Sequence, residues 1–238
     1  LRFGITQTFD CSYLPDEQER LLVYADNPLL QAERYGQLIQ LGFRRSGEQI
    51  YRPHCAECSA CESVRVPVED FIPSKSQKRL LNKNKNLTIR TSNTMSPDYY
   101  PLYERYINER HADGTMYPPS EEQFTNFVAC DWKSPMYIEA YDGEHLIAVA
   151  VTDVVDHENI PHGLSALYTF FDPNYENQSL GTWMILQQIV LAKAHRRPFV
   201  YLGYYVEGCK KMSYKHKFHP FEQFSHNNWL RIDKNPAY

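Results

Sequence analysis

Two stretches decide the architecture: Leu164-Ser-Ala-Leu-Tyr-Thr-Phe-Phe-Asp-Pro-Asn-Tyr175 with Ser179-Leu-Gly181 behind it, and Tyr201-Leu-Gly-Tyr-Tyr205 running into Met212-Ser-Tyr-Lys-His-Lys217. The apolar and aromatic residues ahead of Asp172 predict a strand, because such side chains fit a pleated, half-buried surface. From Gly181 onward, Trp183, Leu186, Ile189 and Val190 recur at helical spacing. His195, Arg196 and Arg197 suit a helix C-terminus, where the carbonyl end of the dipole favours cations, and Pro198 stops the helix before a second strand from Phe199 to Val206. A β-α-β unit is expected, with a loop and a helix N-terminus facing whatever is bound.

Outward from this unit, 238 residues are enough for two small domains or one larger one. The first segment, 1–91, holds a cysteine run, a helix near Gln31 to Leu41, an arginine turn and a basic helix that Ser74 or Ser76 can cap. Asn93-Thr-Met-Ser-Pro97 reads as the join. The second segment, 92–238, begins with helices at Pro97 to His111 and Glu121 to Val128. A hairpin follows, from Tyr137 through the turn at Asp142-Gly143 to Leu146–Val155. The fold class is α/β (α+β). No apolar run is long enough to span a membrane and no signal segment is evident; six cysteines without an export signal point to reduced thiols in the cytoplasm.

The formal net charge of -4 argues superficially against a nucleic-acid partner, but its distribution matters more than its total. Lys75, Lys78, Arg79, Lys83, Lys85 and Arg90 form a run without an acid. Lys193, Arg196, Arg197, Lys210, Lys211, Lys215 and Lys217 form a second basic group. Either run can be a solvated face or a phosphate-binding surface.

The two opening stretches resemble the C-terminal half of the arginyl-tRNA–protein transferase family, whose members move an amino acid from its tRNA to a protein N-terminus. Gly42-Phe-Arg44-Arg45-Ser-Gly47-Glu-Gln-Ile-Tyr51-Arg52-Pro resembles the N-terminal half. The resemblance implies an acetyltransferase-like (GNAT-like) acyltransferase fold in the C-terminal part, with the aminoacyl ester between splayed strands, and a smaller cysteine-containing N-terminal domain. The compact chain, with Cys11-Ser-Tyr-Leu-Pro15 and the cysteine run, is similar to the bacterial branch, which transfers leucine. That implies leucyl-tRNA as donor, acceptors beginning with Asp or Glu, and products marked for degradation through the N-end rule. No cofactor is needed for such chemistry, because the ester is already activated.

An α-amine with a pKa of about 7.8 is partly free base at neutral pH, so positioning can supply most of the rate. What remains is a proton acceptor, an oxyanion donor and a proton for the leaving ribose. Within the matching segments the catalytic candidates are Tyr168, Asp172, Gly181, Tyr204 and Tyr205. Asp172 or a tyrosine-held water would take the proton, and Tyr204, Tyr205 or the Gly181 amide would face the oxyanion. Arg44, Arg45 and Arg52 are candidates for the acceptor carboxylate, since a guanidinium matches it bidentately. Tyr175, Tyr214 and Lys215 complete the substrate-binding set, and Leu167, Phe170 or Met184 could line a leucine pocket. Lys75, Lys78, Arg79, Lys83 and Lys217 are candidates for tRNA phosphates. His111 is read as a helix-end residue interacting with the dipole.

Cys55, Cys58 and Cys61 stand three apart, a spacing that suits zinc or an iron–sulfur cluster; Cys11 is the fourth candidate ligand and His54 another, against a reading as reduced thiols. Cys130 and Cys209 read as small core residues. Two other functions remain open at this point. One is an acetyl-CoA-dependent N-acetyltransferase, against which Trp183 argues because its indole follows Gln178-x-x-Gly181 where a pyrophosphate needs close backbone approach. The other is a non-catalytic tRNA-binding or redox-sensing module.

Overall fold

The computed structural model describes residues 1–158 and 160–234. The N-terminal part carries β1 (Phe3–Ile5), β2 (Phe9–Asp10), β3 (Gln18–Glu19), β4 (Leu21–Tyr24), helix α1 (Pro28–Gln40), β5 (Arg44–Ser46) and β6 (Gln49–Pro53). Four of these strands form a sheet in the order β1-β4-β6-β5, and β2 pairs with β3 as a separate ribbon. Next come β7 (Cys61–Pro67), α2 (Lys75–Lys83), β8 (Thr88–Ser92), α3 (Tyr99–Arg110) and α4 (Glu121–Val128). The chain continues through β9 (Met136–Asp142), β10 (His145–His157), β11 (Ile160–Phe171), α5 (Leu180–Ala194), β12 (Phe199–Val206), β13 (Phe221–Ser225) and β14 (Asn228–Ile232). Short 3-10 stretches occupy Pro173–Gln178 and Lys210–Lys217.

The second sheet has eight strands in the order β14-β13-β7-β12-β11-β10-β9-β8. It crosses the expected division at residue 91: β7 and β8 come from the first segment, and β7 is clamped between β12 and β13. The expected second segment, 92–238, has its last four positions, 235–238, outside the described residues.

Local chemistry explains the helices near the site. α2 begins with a capping box in which the Ser74 side chain accepts from the Gln77 amide and the Gln77 side chain accepts from the Ser74 amide. α4 is capped by Ser120 and has Glu121 and Glu122 in its first turn, the end of the dipole that favours anions. α1 lies close on β10 because Gly36 has no side chain; a Cβ there would collide with the Asp156 carbonyl. α5 is apolar nearly all round, with Trp183, Met184, Leu186, Gln188, Ile189 and Ala192 buried against the sheet and α2.

The feature that makes a site is a seam. β11 and β12 are parallel and pair only at Gly163–Phe199, Leu164–Val200 and Ser165–Tyr201. Beyond that point each keeps its other partner, β10 and β7 respectively, while the two move apart. A register shift between Tyr201 and Gly203 marks a bulge in β12, and Gly203 has φ +84, a conformation that favours glycine.

Candidate active site

β11 is a central strand, buried at Gly163–Ser165 and again at Phe170–Phe171, yet the four residues between, Ala166, Leu167, Tyr168 and Thr169, are all half-buried. Loss of the β12 neighbour opens them. Tyr168 stands in this opening among Tyr103, Tyr106 and Phe127, with ring centres 6.2, 6.4 and 5.5 Å away. Burial and then the Tyr106 phenol push its own pKa up, so it is a neutral hydrogen-bond donor. The three surrounding rings lie on α3 and α4, outside the stretches read first; the aromatic spacing of α3 is the only local signal for them. Leu167 borders the opening, whereas Phe170 and Met184 are fully buried in the core.

The other wall is electropositive. Arg44 is 5% exposed, and among the described residues its nitrogens reach only the Phe43 carbonyl at 2.7 Å and the Ser63 hydroxyl. Its Nε has no partner among the described residues. The guanidinium faces the rings of Tyr201 and Tyr204, 5.0 and 5.7 Å to their centres. Burial lowers its pKa, and the groups it feels most after that are tyrosines. Lys215, 4% exposed, donates to the Tyr204 carbonyl and lies 3.2 Å from the Met212 sulfur. Burial, reinforced by Arg44, brings its pKa down to about 7. A side chain at Gly203 would come within 3.5 Å of the Lys215 amine, so the glycine of the bulge also makes room for it. A glycine inside a strand pattern is the sequence signal for such a bulge.

Arg45 has a different task. Its Nε and Nη2 donate to both oxygens of Asp153 at 2.8 Å, its Nη1 donates to the Gly47 carbonyl, and both side chains of the pair are fully buried. Burial alone would lower its pKa, but Asp153 outweighs that and raises it. Tyr35 donates to the same carboxylate. The Arg45 fork is therefore filled internally, while Arg52 donates to the Leu41 carbonyl at 3.2 Å and covers the Phe43 ring.

The remaining candidates divide likewise. Asp172 accepts from the Asn174 amide at 3.0 Å, pairs with Arg105 at 2.5 Å and meets His145 at 3.2 Å. Burial acts to raise its pKa, and these three partners together hold it below the ordinary value. Its carboxylate clamps the loop before α5 to α3 and β10, beside a cavity of about 360 Å³ that Arg105 and His145 line. The Tyr204 hydroxyl donates to the carbonyls of Gly42 at 2.9 Å and Tyr51 at 3.2 Å, and Tyr205 stacks on His216 with ring centres 3.6 Å apart. Tyr175 donates to Asp142, and Tyr214 is partly exposed with its ring 5.7 Å from the Lys215 amine. Gly181 sits in the first turn of α5, 3.6 Å from Phe171 if it bore a Cβ. His111 caps the C-terminal end of α3 and packs on Tyr106.

Trp183 does not crowd the loop before α5 as its sequence position implies. The indole is 2% exposed and packs inward, because position 183 lies on the core face of the helix. What occupies that loop is α2: Lys83 donates to the Asn177 carbonyl at 2.6 Å and Asn84 to the Gln178 carbonyl at 2.9 Å. The exposed face of α2 presents Lys75, Lys78, Arg79 and Lys83, and Lys217 joins it because Gln77 donates to the Lys217 carbonyl. None of these five makes an ion pair among the described residues. In the second basic group, Lys193, Arg197 and Lys211 pair with Glu69, Asp156 and Asp113, and Lys215 is buried.

The cysteines border the electropositive wall. Cys55, Cys58 and Cys61 line a cavity of about 410 Å³ with His54, Arg52, Glu62 and Tyr204. Burial pushes the Cys61 thiol up to about 12, with Cys11, Cys55 and Cys58 adding to the effect, so the four thiols are near one another. Among the described residues no three His, Cys, Asp or Glu side chains are arranged to hold a metal ion. All six cysteines are free, and Cys130 and Cys209 are half-buried rather than core. No helix among the described residues is long and apolar enough to cross a membrane.

Two family models match: "Arginine-tRNA-protein transferase, C terminus" over residues 98–225, and the corresponding N terminus over residues 9–79. Aspartate/glutamate leucyltransferase of Aeromonas salmonicida is 51% identical over 236 residues, covering 99% of this chain and 97% of its own. The protein of the same name from Pseudoalteromonas atlantica is 49% identical over 234 residues, covering 98% and 99%. Among solved structures, the C-terminal domain of a lysylphosphatidylglycerol synthetase from Agrobacterium fabrum superposes with a TM-score of 0.51 at 12% identity. It covers 74% of this chain and 61% of that one. That likeness is one of fold alone, the GNAT-like one.

Proposed function

Since the chain belongs to the arginine-tRNA-protein transferase family and is an aminoacyltransferase, we propose that it moves leucine from leucyl-tRNA to the α-amine of polypeptides beginning with Asp or Glu. The observation that carries this reading is the pairing of an opened strand seam with a buried guanidinium, Arg44, that lacks a carboxylate. A buried charge without a partner is costly, and an incoming carboxylate is the group that would compensate it. Arg44 is the leading candidate for the acceptor side chain, with Lys215 beside it and Arg52 at the rim. Tyr168 and Tyr214 flank the opening, and Leu167 is the half-buried apolar residue placed to meet a leucyl side chain.

Chemically the site positions reactants. The free amine attacks the ester carbonyl carbon, the new N–C bond forms, the bond to the ribose oxygen breaks, and the proton lost by nitrogen balances the one gained by the leaving oxygen. No cofactor enters. Asp172 and Tyr204 are held by internal partners, so their part in this scheme is to fix the loop and the bulge around the reacting groups. The unpaired cations of α2 and Lys217 suit the phosphates of the tRNA, with Lys83 and Asn84 joining that surface to the loop before α5. Products that begin with leucine would then be directed to N-end rule degradation.

The direct test is to incubate the protein with leucyl-tRNA and peptides beginning Asp, Glu or Ala and to weigh the products. A gain of one leucyl residue on the Asp and Glu peptides alone is expected. Transfer from acetyl-CoA instead, or charged tRNA left intact beside all three peptides, would refute the reading.

A further inference from the structure

The seam leaves more free main chain than an aminoacyl ester can use. From Ala166 to Phe171 β11 has a ladder partner on the β10 side only, and from Leu202 to Val206 β12 has one on the β7 side only. Two strand edges thus face each other across the opening; on β12 the Tyr204 carbonyl already accepts from Lys215 and the Val206 carbonyl from the Cys209 amide, so the main chain that calls for a partner is chiefly that of β11. The aminoacyl group of a charged tRNA is one residue long, and the ribose and phosphates behind it have no amide repeat, so the donor cannot continue a ladder. A polypeptide can, since its groups recur at the spacing of the strand. The charge at the edge favours a particular polypeptide: Arg44 and Lys215, buried beside Tyr204, complement an acidic first side chain.

We propose that the acceptor polypeptide enters the parting of β11 and β12 in extended form and pairs the main chain of its second and third residues with the free edge of β11. The inference rests on the transferase reading above and adds how the acceptor is held beyond its first residue. The α-amine lies at the ester, the first side chain turns to the face that carries Arg44, and the second turns to the opposite face, following the alternation of a strand. Recognition past the first residue is then indifferent to side-chain identity and sensitive to backbone chemistry. That would let one enzyme serve many proteins sharing only an acidic start.

The test leaves the protein unaltered and changes the peptide. In a peptide beginning Asp-Ala-Ala, the amide ahead of the second, the third or the sixth residue is replaced in turn by an ester, which deletes one N–H without adding bulk. A parallel set carries N-methyl groups at the same places, and kcat/KM is measured with leucyl-tRNA. An ester at the second or third position should lower kcat/KM about five- to tenfold, the scale of one hydrogen bond with its partner left unpaired. N-methylation should lower it further, and the sixth position should be silent in both sets. Equal rates for all three ester positions would overturn the proposal while leaving the transferase reading intact. Failure of the unmodified peptide to accept leucine would overturn both.

Discussion

Where β11 and β12 pair, at Gly163–Ser165, the buried cations nearby have their acids: Arg45 grips Asp153, and Arg65 meets Glu222 at 2.6 Å. Where the same strands part, Arg44 and Lys215 are comparably buried, with a serine hydroxyl, backbone carbonyls, a thioether and aromatic rings as neighbours. Arg44 and Arg45 are adjacent in sequence, and the alternation of a strand sends them to different environments. The difference separates two uses of a buried charge. A compensated pair helps hold the fold in register, whereas an uncompensated cation costs stability and makes sense only if something else completes it.

The comparison breaks most visibly at the closed end. Asp153→Ala would strand the Arg45 guanidinium in the interior and should cost about 3–5 kcal/mol in a urea titration. Arg44→Met should do the reverse: an unchanged or higher melting temperature, with kcat/KM for Asp and Glu peptides down about a hundredfold, the effect of one charge-assisted hydrogen bond of roughly 2–3 kcal/mol. If Arg44→Met melted as early as Asp153→Ala, the two arginines would be doing the same structural work and the contrast would fail. At the tRNA surface, Lys78→Ala combined with Arg79→Ala should flatten the slope of log affinity for charged tRNA against log salt by about 0.7–0.9 for each phosphate no longer neutralised.

Two titrations sharpen the contrast with smaller effects. Lys215 has a folded pKa of about 7, below that of the unfolded chain, so between these values the unfolded state binds more protons. Stability from this group should rise as the pH is taken from 7 toward 10, and Lys215→Met should remove that part of the rise. At the closed end, His162 bonds to the Tyr201 hydroxyl at 2.7 Å, and burial with Arg65 nearby lowers its pKa to about 4. Its contribution is present above the unfolded value and lost as the pH falls through 4, so His162→Asn should blunt acid unfolding by a few degrees at pH 4.5.

Much of the scaffold is legible locally. β12 runs from Phe199 to Val206 as the apolar run before Val206 implies, and α2 starts behind Ser74 because a serine followed three residues later by glutamine can satisfy free amides at both positions. The large sheet hides one strand from such reading. Cys61–Pro67 is short, and its partners β12 and β13 lie far along the chain, so nothing in its own pattern announces where it pairs. The site is legible by residue type more than by role. Arg44, Lys215, Tyr168 and Gly203 all fall in the quoted stretches, but the Asp153 that occupies Arg45 is 108 residues away. Trp183 misleads for the opposite reason: a motif position records spacing along the helix and not which way its side chain faces.

The placement of β7 also bears on how the molecule comes into being. Its two flanks are filled by β12 and β13, both made late, so during synthesis the segment leaves the ribosome with its backbone groups unanswered. Although the family models meet the chain as two separate pieces, neither piece holds the finished eight-stranded sheet, and a gene cut between them would yield halves that must be brought together before that sheet can close.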